Sequence, residues 1–184
     1  MLPLKEITEN DFCIFTDGSA LSNAKNACAG SCIYIPKINF IVLKSMYGTN
    51  NIAELEAIRY ASRYVFKNIE RLSKFIKNKT IHIISDSEYS IKAILGINQV
   101  KANKELIEKA QYYIQEINKK GFVVNISKVR AHTTNKDFFS VCNKVVDMGA
   151  KLEAKTLKET EEETIWHKVS KEDIEKLFKE KKLK

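Results

Sequence analysis

Residues 11–17 read DFCIFTD, and residues 81–87 read IHIISDS. Both are apolar runs of strand length, and each reaches an aspartate followed by a small residue: Asp17 before Gly18, and Asp86 before Ser87. A short, nearly continuous apolar run is the mark of a strand buried on both faces. Open α/β sheets bind ligands at their strand ends. If the two runs are neighbours in one sheet, Asp17 and Asp86 lie close together.

Ser19–Asn26 is small and polar and reads as a loop, and Ala27–Pro36 and Asn39–Met46 read as two further strands joined by a tight turn. The segment NNIAELEAIRYASRYVFKNIERL then changes period: Ile52, Leu55, Ile58, Ala61, Val65 and Ile69 recur at helical spacing, with Asn50 or Asn51 as the cap. After Ile81–Ser85, helices are predicted over Glu88–Leu95 and Lys104–Lys119, the second ended by Gly121. Phe122–Val129 is a fifth strand and Ser140–Lys155 a last helix. Three strands followed by helix–strand–helix–strand–helix is an α/β layout with a mixed sheet.

The 184 residues suit one domain, over 1–155, with a charged, helical extension expected over 156–184. With 44% hydrophobic and 29% charged residues, the chain is ordinary globular material. A net charge of +8 and a pI of about 9.2 favour a polyanionic partner without specifying one. No signal peptide or membrane span is visible. Cys13, Cys28, Cys32 and Cys142 form no CxxC pair and read as reduced thiols of an intracellular protein, cytoplasm and nucleus not being distinguished.

Two more carboxylates stand out: Glu54, one turn into the first long helix, and Asp147 in Asn143-Lys-Val-Val-Asp147. Singly, each has a plainer reading. An Asp before Gly is commonly a turn residue, and a Glu in a first helical turn complements the helix dipole. Converging in one cleft, four such acids would repel one another unless hard cations joined them. Carboxylate oxygens suit Mg²⁺ or Mn²⁺, and a pair of ions is the common arrangement for phosphodiester hydrolysis.

The succession T-D-G-S, T-N-N-x-A-E-L, S-D-S, and V-x-x-H followed by N-x-x-x-D resembles type 1 ribonuclease H from about Asp11 to Lys155. The resemblance implies a ribonuclease H-like fold, a five-stranded mixed sheet flanked by helices. It implies an endonuclease that cuts the RNA strand of an RNA/DNA hybrid duplex with two Mg²⁺ ions, or Mn²⁺ in their place, leaving 5′-phosphate and 3′-hydroxyl ends. It places the catalytic, metal-holding acids at Asp17, Glu54, Asp86 and Asp147, and a loop histidine that assists proton transfer or product departure at His132. Asn23, Asn50 and Asn51 resemble the asparagines that read the hybrid, where contact with the 2′-hydroxyl tells RNA from DNA. Thr49 and Asn103 resemble the pocket for a DNA-strand phosphate, although each asparagine beside a helix start is also a natural cap. A monomer is expected.

The pattern also departs from the family. Asp147 lies fifteen positions after His132, a longer spacing than usual. Tyr47 stands where the phosphate pocket often has arginine, Glu88 where glutamine is common, and the tryptophan-bearing basic protrusion is missing, the one tryptophan being Trp166 in the tail. Lys171–Lys184 reads either as a helix packing Ile174, Leu177 and Phe178 on the core, or as a lysine-rich grip on the hybrid. Other functions left open are a different nuclease of the same superfamily, a hybrid-binding module without catalysis, and a domain detached from a reverse transcriptase.

Overall fold

The structure, a computed structural model, describes residues 4–98, 102–130 and 137–180. Six strands, β1 (Phe12–Ala20), β2 (Cys28–Ile35), β3 (Phe40–Tyr47), β4 (Thr80–Ser85), β5 (Val123–Lys128) and β6 (His167–Val169), form one mixed sheet in the order β5-β4-β1-β2-β3-β6. The helices are α1 (Asn50–Leu72), α2 (Glu88–Ile94), α3 (Lys104–Lys119), α4 (Phe138–Thr160) and α5 (Lys171–Glu180). β1 is central, parallel to β4 and antiparallel to β2.

Its apolar run fills both faces by simple alternation. Phe12 and Ile14 pack with Ala57, Ala61, Val65 and Ile69 of α1. Cys13 and Phe15 point the other way, to Cys142, Val145 and Val146 of α4. α4 lies unusually close to β2: a Cβ at Gly30 would stand 2.2 Å from the Ala150 carbonyl oxygen, and one at Gly149 2.7 Å from Cys32 Sγ. Those two glycines let the helix carrying Asp147 settle against the strands.

The expected five strands become six because the tail supplies β6. His167–Val169 is too short and too polar to show a strand period, yet it pairs with Ile41–Leu43 and covers the edge that β3 would otherwise expose. The extension is therefore not helical throughout. α4 also runs on to Thr160, across the point after residue 155 where the extension was expected to begin. It starts at Phe138 rather than Ser140, because Asp137 caps it by accepting from the Ser140 N–H at 3.0 Å. α1 is capped by Thr49, which accepts from the Ile52 N–H at 3.3 Å, and not by Asn50 or Asn51. Gly121 follows α3 with φ +81°, as its position suggested.

The tail is docked. Thr164 and Ser45 exchange hydrogen bonds, each backbone N–H reaching the other's hydroxyl oxygen at 2.8 Å. Trp166 lies flat on Tyr60 with ring centroids 4.0 Å apart, and its indole N–H donates to Glu56 Oε1 at 3.3 Å. Ile174 is buried and Phe178 packs beside it, whereas Leu177 stays exposed on the rim. Burial would raise the Glu56 carboxyl, but Arg59 and Lys44 outweigh it and hold Glu56 below its ordinary value. All four cysteines are free thiols; burial pushes Cys13 and Cys142 up to about 12. Among the described residues, no helix is long and apolar enough to cross a membrane.

Candidate active site

The parallel pairing of β1 and β4 stops at Thr16↔Ser85, so the next residue on each strand, Asp17 and Asp86, emerges side by side. Beyond that point β1 follows β2 alone, pairing through Ala20↔Ala29. Asp17 thus sits within β1, at the place where the two strands part, and not at its last residue. This split at the carboxyl ends of parallel strands is the crevice in which α/β sheets bind ligands.

α1 brings the third acid. A Cβ on Gly18 would lie 2.1 Å from the Glu54 backbone nitrogen, so only glycine lets the first turn of α1 press onto β1 beside Asp17. α4 brings the fourth, Asp147, across the same end of the sheet. Asp17 is only 5% exposed and accepts the Gly18 N–H at 2.8 Å. Burial, then the charges of Asp86 and Asp147, and more weakly that of Glu54, push its carboxyl well up, against the pull of the Gly18 hydrogen bond. The four acids named from the sequence therefore share one electrostatic neighbourhood.

Within it each carboxylate has a partner. Glu54 Oε1 accepts the Asn50 amide at 2.6 Å, and Oε2 accepts the hydroxyls of Ser87 and Ser90. Burial raises the Glu54 carboxyl despite these bonds, and Asp86 adds to the rise. Asp86 receives the Asn143 amide at 3.4 Å, and Asp147 is held by Lys151 at 2.9 Å, one turn along α4. Among the described residues, no three carboxylate, histidine or cysteine side chains gather closely enough about one point to ligate an ion. The donor set nonetheless fits a hard divalent cation. It consists of carboxylate oxygens only, and the most buried of them carries a repulsion that a cation would relieve.

Sequence reasoning missed the clasp of Ser87 and Ser90 on Glu54, and the roles of Asn143 and Lys151. The spacing Asn143–Asp147–Lys151, one residue per turn on a single helix face, was the available signal. Asn143 is 4% exposed, and its Oδ1 has no hydrogen-bond partner among the described residues.

The proposed substrate residues are less gathered. Asn23 is exposed in the β1–β2 loop and Asn51 is exposed on the first turn of α1. Asn50 is committed to a bridge, since its Oδ1 also accepts the Ala20 N–H at 3.1 Å. Asn103 precedes α3 with φ +61° and makes no side-chain cap; its amide donates to the Tyr89 hydroxyl at 3.4 Å. His132 lies outside the described residues. Tyr47 is occupied by the tail, its N–H donating to Glu163 Oε1 at 2.7 Å. Glu88 joins Lys92 and Lys128, each at 2.5 Å, and these two lysines hold its carboxyl down at about 2.

A family model for RNase H matches residues 9–155. The fold is similar to the N-terminal RNase H domain of Rv2228c from Mycobacterium tuberculosis, at 16% identity and TM-score 0.58, covering 83% of this chain and 100% of that one. It is similar to RNase H1 from the archaeon Halobacterium salinarum, at 18% identity and TM-score 0.51, covering 79% and 98%. It is also similar to LC11-RNase H1, isolated from compost by a metagenomic approach and solved in complex with an RNA/DNA hybrid, at 19% identity and TM-score 0.57, covering 80% and 99%. No curated protein matches the sequence.

Proposed function

Because the chain belongs to the RNase H family, we propose that it is the endonuclease its sequence resembles, hydrolysing the RNA strand of an RNA/DNA hybrid to leave 5′-phosphate and 3′-hydroxyl ends. The observation that carries this reading is the register Thr16↔Ser85, which delivers Asp17 and Asp86 together while α1 and α4 add Glu54 and Asp147. Asp17, Glu54, Asp86 and Asp147 would hold two Mg²⁺ ions, or Mn²⁺ in their place. Such a pair, when bound, activates the attacking water and offsets the negative charge that develops on the leaving 3′-oxygen.

The protein's own groups do the rest. Ser87 and Ser90 fix Oε2 of Glu54 and Asn50 fixes Oε1, so this carboxylate is oriented before substrate arrives. Asn143 orients Asp86 in the same way. Asn23 and Asn51, both exposed beside the acids' end of β1 and α1, are free to meet the minor groove and its 2′-hydroxyls. Thr49 and Asn103 are assigned to a DNA-strand phosphate, and His132 to proton transfer or product departure. The matched segment forms the catalytic unit and the tail braces it. The chain acts as a monomer, and its free thiols fit a reducing, intracellular setting.

The test is an RNA/DNA hybrid labelled on either strand and incubated with Mg²⁺ or with EDTA. RNA-strand products with 5′-phosphate ends, formed with Mg²⁺ only, support the reading. Binding without cleavage would instead make the chain a hybrid-binding module.

A further inference from the structure

Some of the surface cations are ion-paired and others are not. Lys44, Lys92, Lys109, Lys128 and Lys151 each lie within 3.0 Å of a carboxylate oxygen. At the far pole, where α1 and α3 end, Lys119 pairs with Glu116 at 2.6 Å, but Lys67, Arg71, Lys74, Lys79 and Lys120 form no ion pair among the described residues. Arg63, Lys67 and Arg71 recur every fourth residue and so share one face of α1.

Lys67, Arg71 and Lys120 border one groove made of two adjoining hollows. Ile69, Glu70, Ser73, Lys120 and Phe122 line an open hollow of about 450 Å³. Lys67, Arg71 and Lys120 also line an adjoining hollow of about 220 Å³ with Phe66. Lys120 and Lys67 stand 4.8 and 5.8 Å from the centre of the Phe66 ring, and Lys79 Nζ would lie 3.9 Å from a Cβ on Gly121. Glu70 is the one carboxylate among the lining residues. Unpaired like charges gathered at one site repel each other and oppose folding, unless an anion is there to be met.

We infer that this pole is a second nucleic-acid contact, separate from the catalytic one, which takes a single strand. The groove sets basic side chains around an apolar and aromatic floor, the combination that tracks a phosphate backbone while bases rest on rings. A hollow of about 450 Å³ has room for unpaired bases. Arg71 lies seventeen residues beyond Glu54 on α1, roughly 26 Å along the helix. A short hybrid seated on the acids therefore does not cover the groove, whereas a single-stranded flank of a longer substrate reaches it.

The test compares the full chain with the triple variant Lys67→Glu, Arg71→Glu, Lys120→Glu. A control, Lys158→Glu, Lys176→Glu, Lys179→Glu, carries the same net charge. Binding of a 20-nucleotide single-stranded DNA is followed by anisotropy in EDTA over a salt series, and cleavage of a 12-base-pair hybrid is measured alongside. The groove variant should bind the single strand about tenfold more weakly, with the salt slope lower by roughly 2. Short-hybrid kcat and KM should be unchanged, and the control should bind like the parent. Parental affinity and slope in the groove variant, or an equal loss in the control, overturns the inference, as does a parallel rise in the short-hybrid KM. Glutamine at the same three positions gives the same comparison if the glutamates prevent folding. A parent that cleaves no hybrid would count against the proposed activity and leaves the single-strand comparison intact.

Discussion

Asn50 joins Glu54 across one turn of α1: its amide donates to Oε1 at 2.6 Å while its own oxygen accepts the Ala20 N–H at 3.1 Å. One side chain thereby ties the end of β1 to a carboxylate of the proposed active site. Its neighbour Asn51 points to solvent. The two asparagines should separate kinetically. Asn50→Ala should lower kcat about tenfold and cost about 1 kcal/mol of stability through the lost hydrogen bonds. Asn51→Ala should leave kcat near normal, raise KM and loosen the preference for hybrid over DNA duplex. Equal kinetic profiles for the two variants would remove the distinction.

Lys151 places an ammonium on Asp147 at 2.9 Å, and that charge competes with any cation the carboxylate is to hold. Lys151→Met should tighten divalent binding severalfold. The readout is melting temperature against Mg²⁺ concentration, whose rise should move to lower Mg²⁺, because binding to the folded state adds stability by mass action. An unmoved or weakened titration would show that Lys151 does not oppose the ion.

Asp17 gives a pH signature. Burial, together with Asp86, Asp147 and Glu54, raises its carboxyl on folding. A carboxyl raised on folding opposes folding when ionised. The penalty is complete above the raised value and absent below the unfolded value of about 4. In EDTA, Asp17→Asn should therefore melt higher than the parent at neutral pH, and the gain should vanish as the pH falls towards about 4. With Mg²⁺ the order should reverse, since the parent alone keeps the full set of proposed ligands. Identical melting curves in EDTA at neutral pH would mean that Asp17 does not stand in a field of carboxylates.

The tail should behave as structure. Trp166→Ala removes the stack on Tyr60 and the hydrogen bond to Glu56, and should cost roughly 2–4 kcal/mol. The salt slope of hybrid binding should not change. A lowered slope at unchanged melting temperature would return the tail to the hybrid.

What the sequence made legible follows from period. The runs DFCIF and IHIIS read as strands and are strands, and Leu55, Ile58, Ala61, Val65 and Ile69, spaced for one helix face, are all buried. With β1 and β4 placed, Asp17 and Asp86 had to meet. What stayed hidden depends on contacts between distant segments. His167–Val169 is a strand only because β3 offers it an edge, and Trp166 has a role only because Tyr60 lies beneath it. The hydroxyls on Glu54 come from thirty-three and thirty-six residues away, beyond any local pattern. Thr49 holds the cap because its backbone is still extended, at φ −83° and ψ 166°, while Asn50 is already the first helical residue.

The most direct measurement is Mg²⁺-dependent cleavage of a labelled RNA/DNA hybrid by the parent and by Asp86→Asn, with circular dichroism to show that both are folded. The account predicts RNA-strand cleavage by the parent and a loss of a thousandfold or more on the order of a full transition-state charge clamp in the folded variant. Near-normal turnover by Asp86→Asn, or undiminished cleavage by the parent in EDTA, would contradict it.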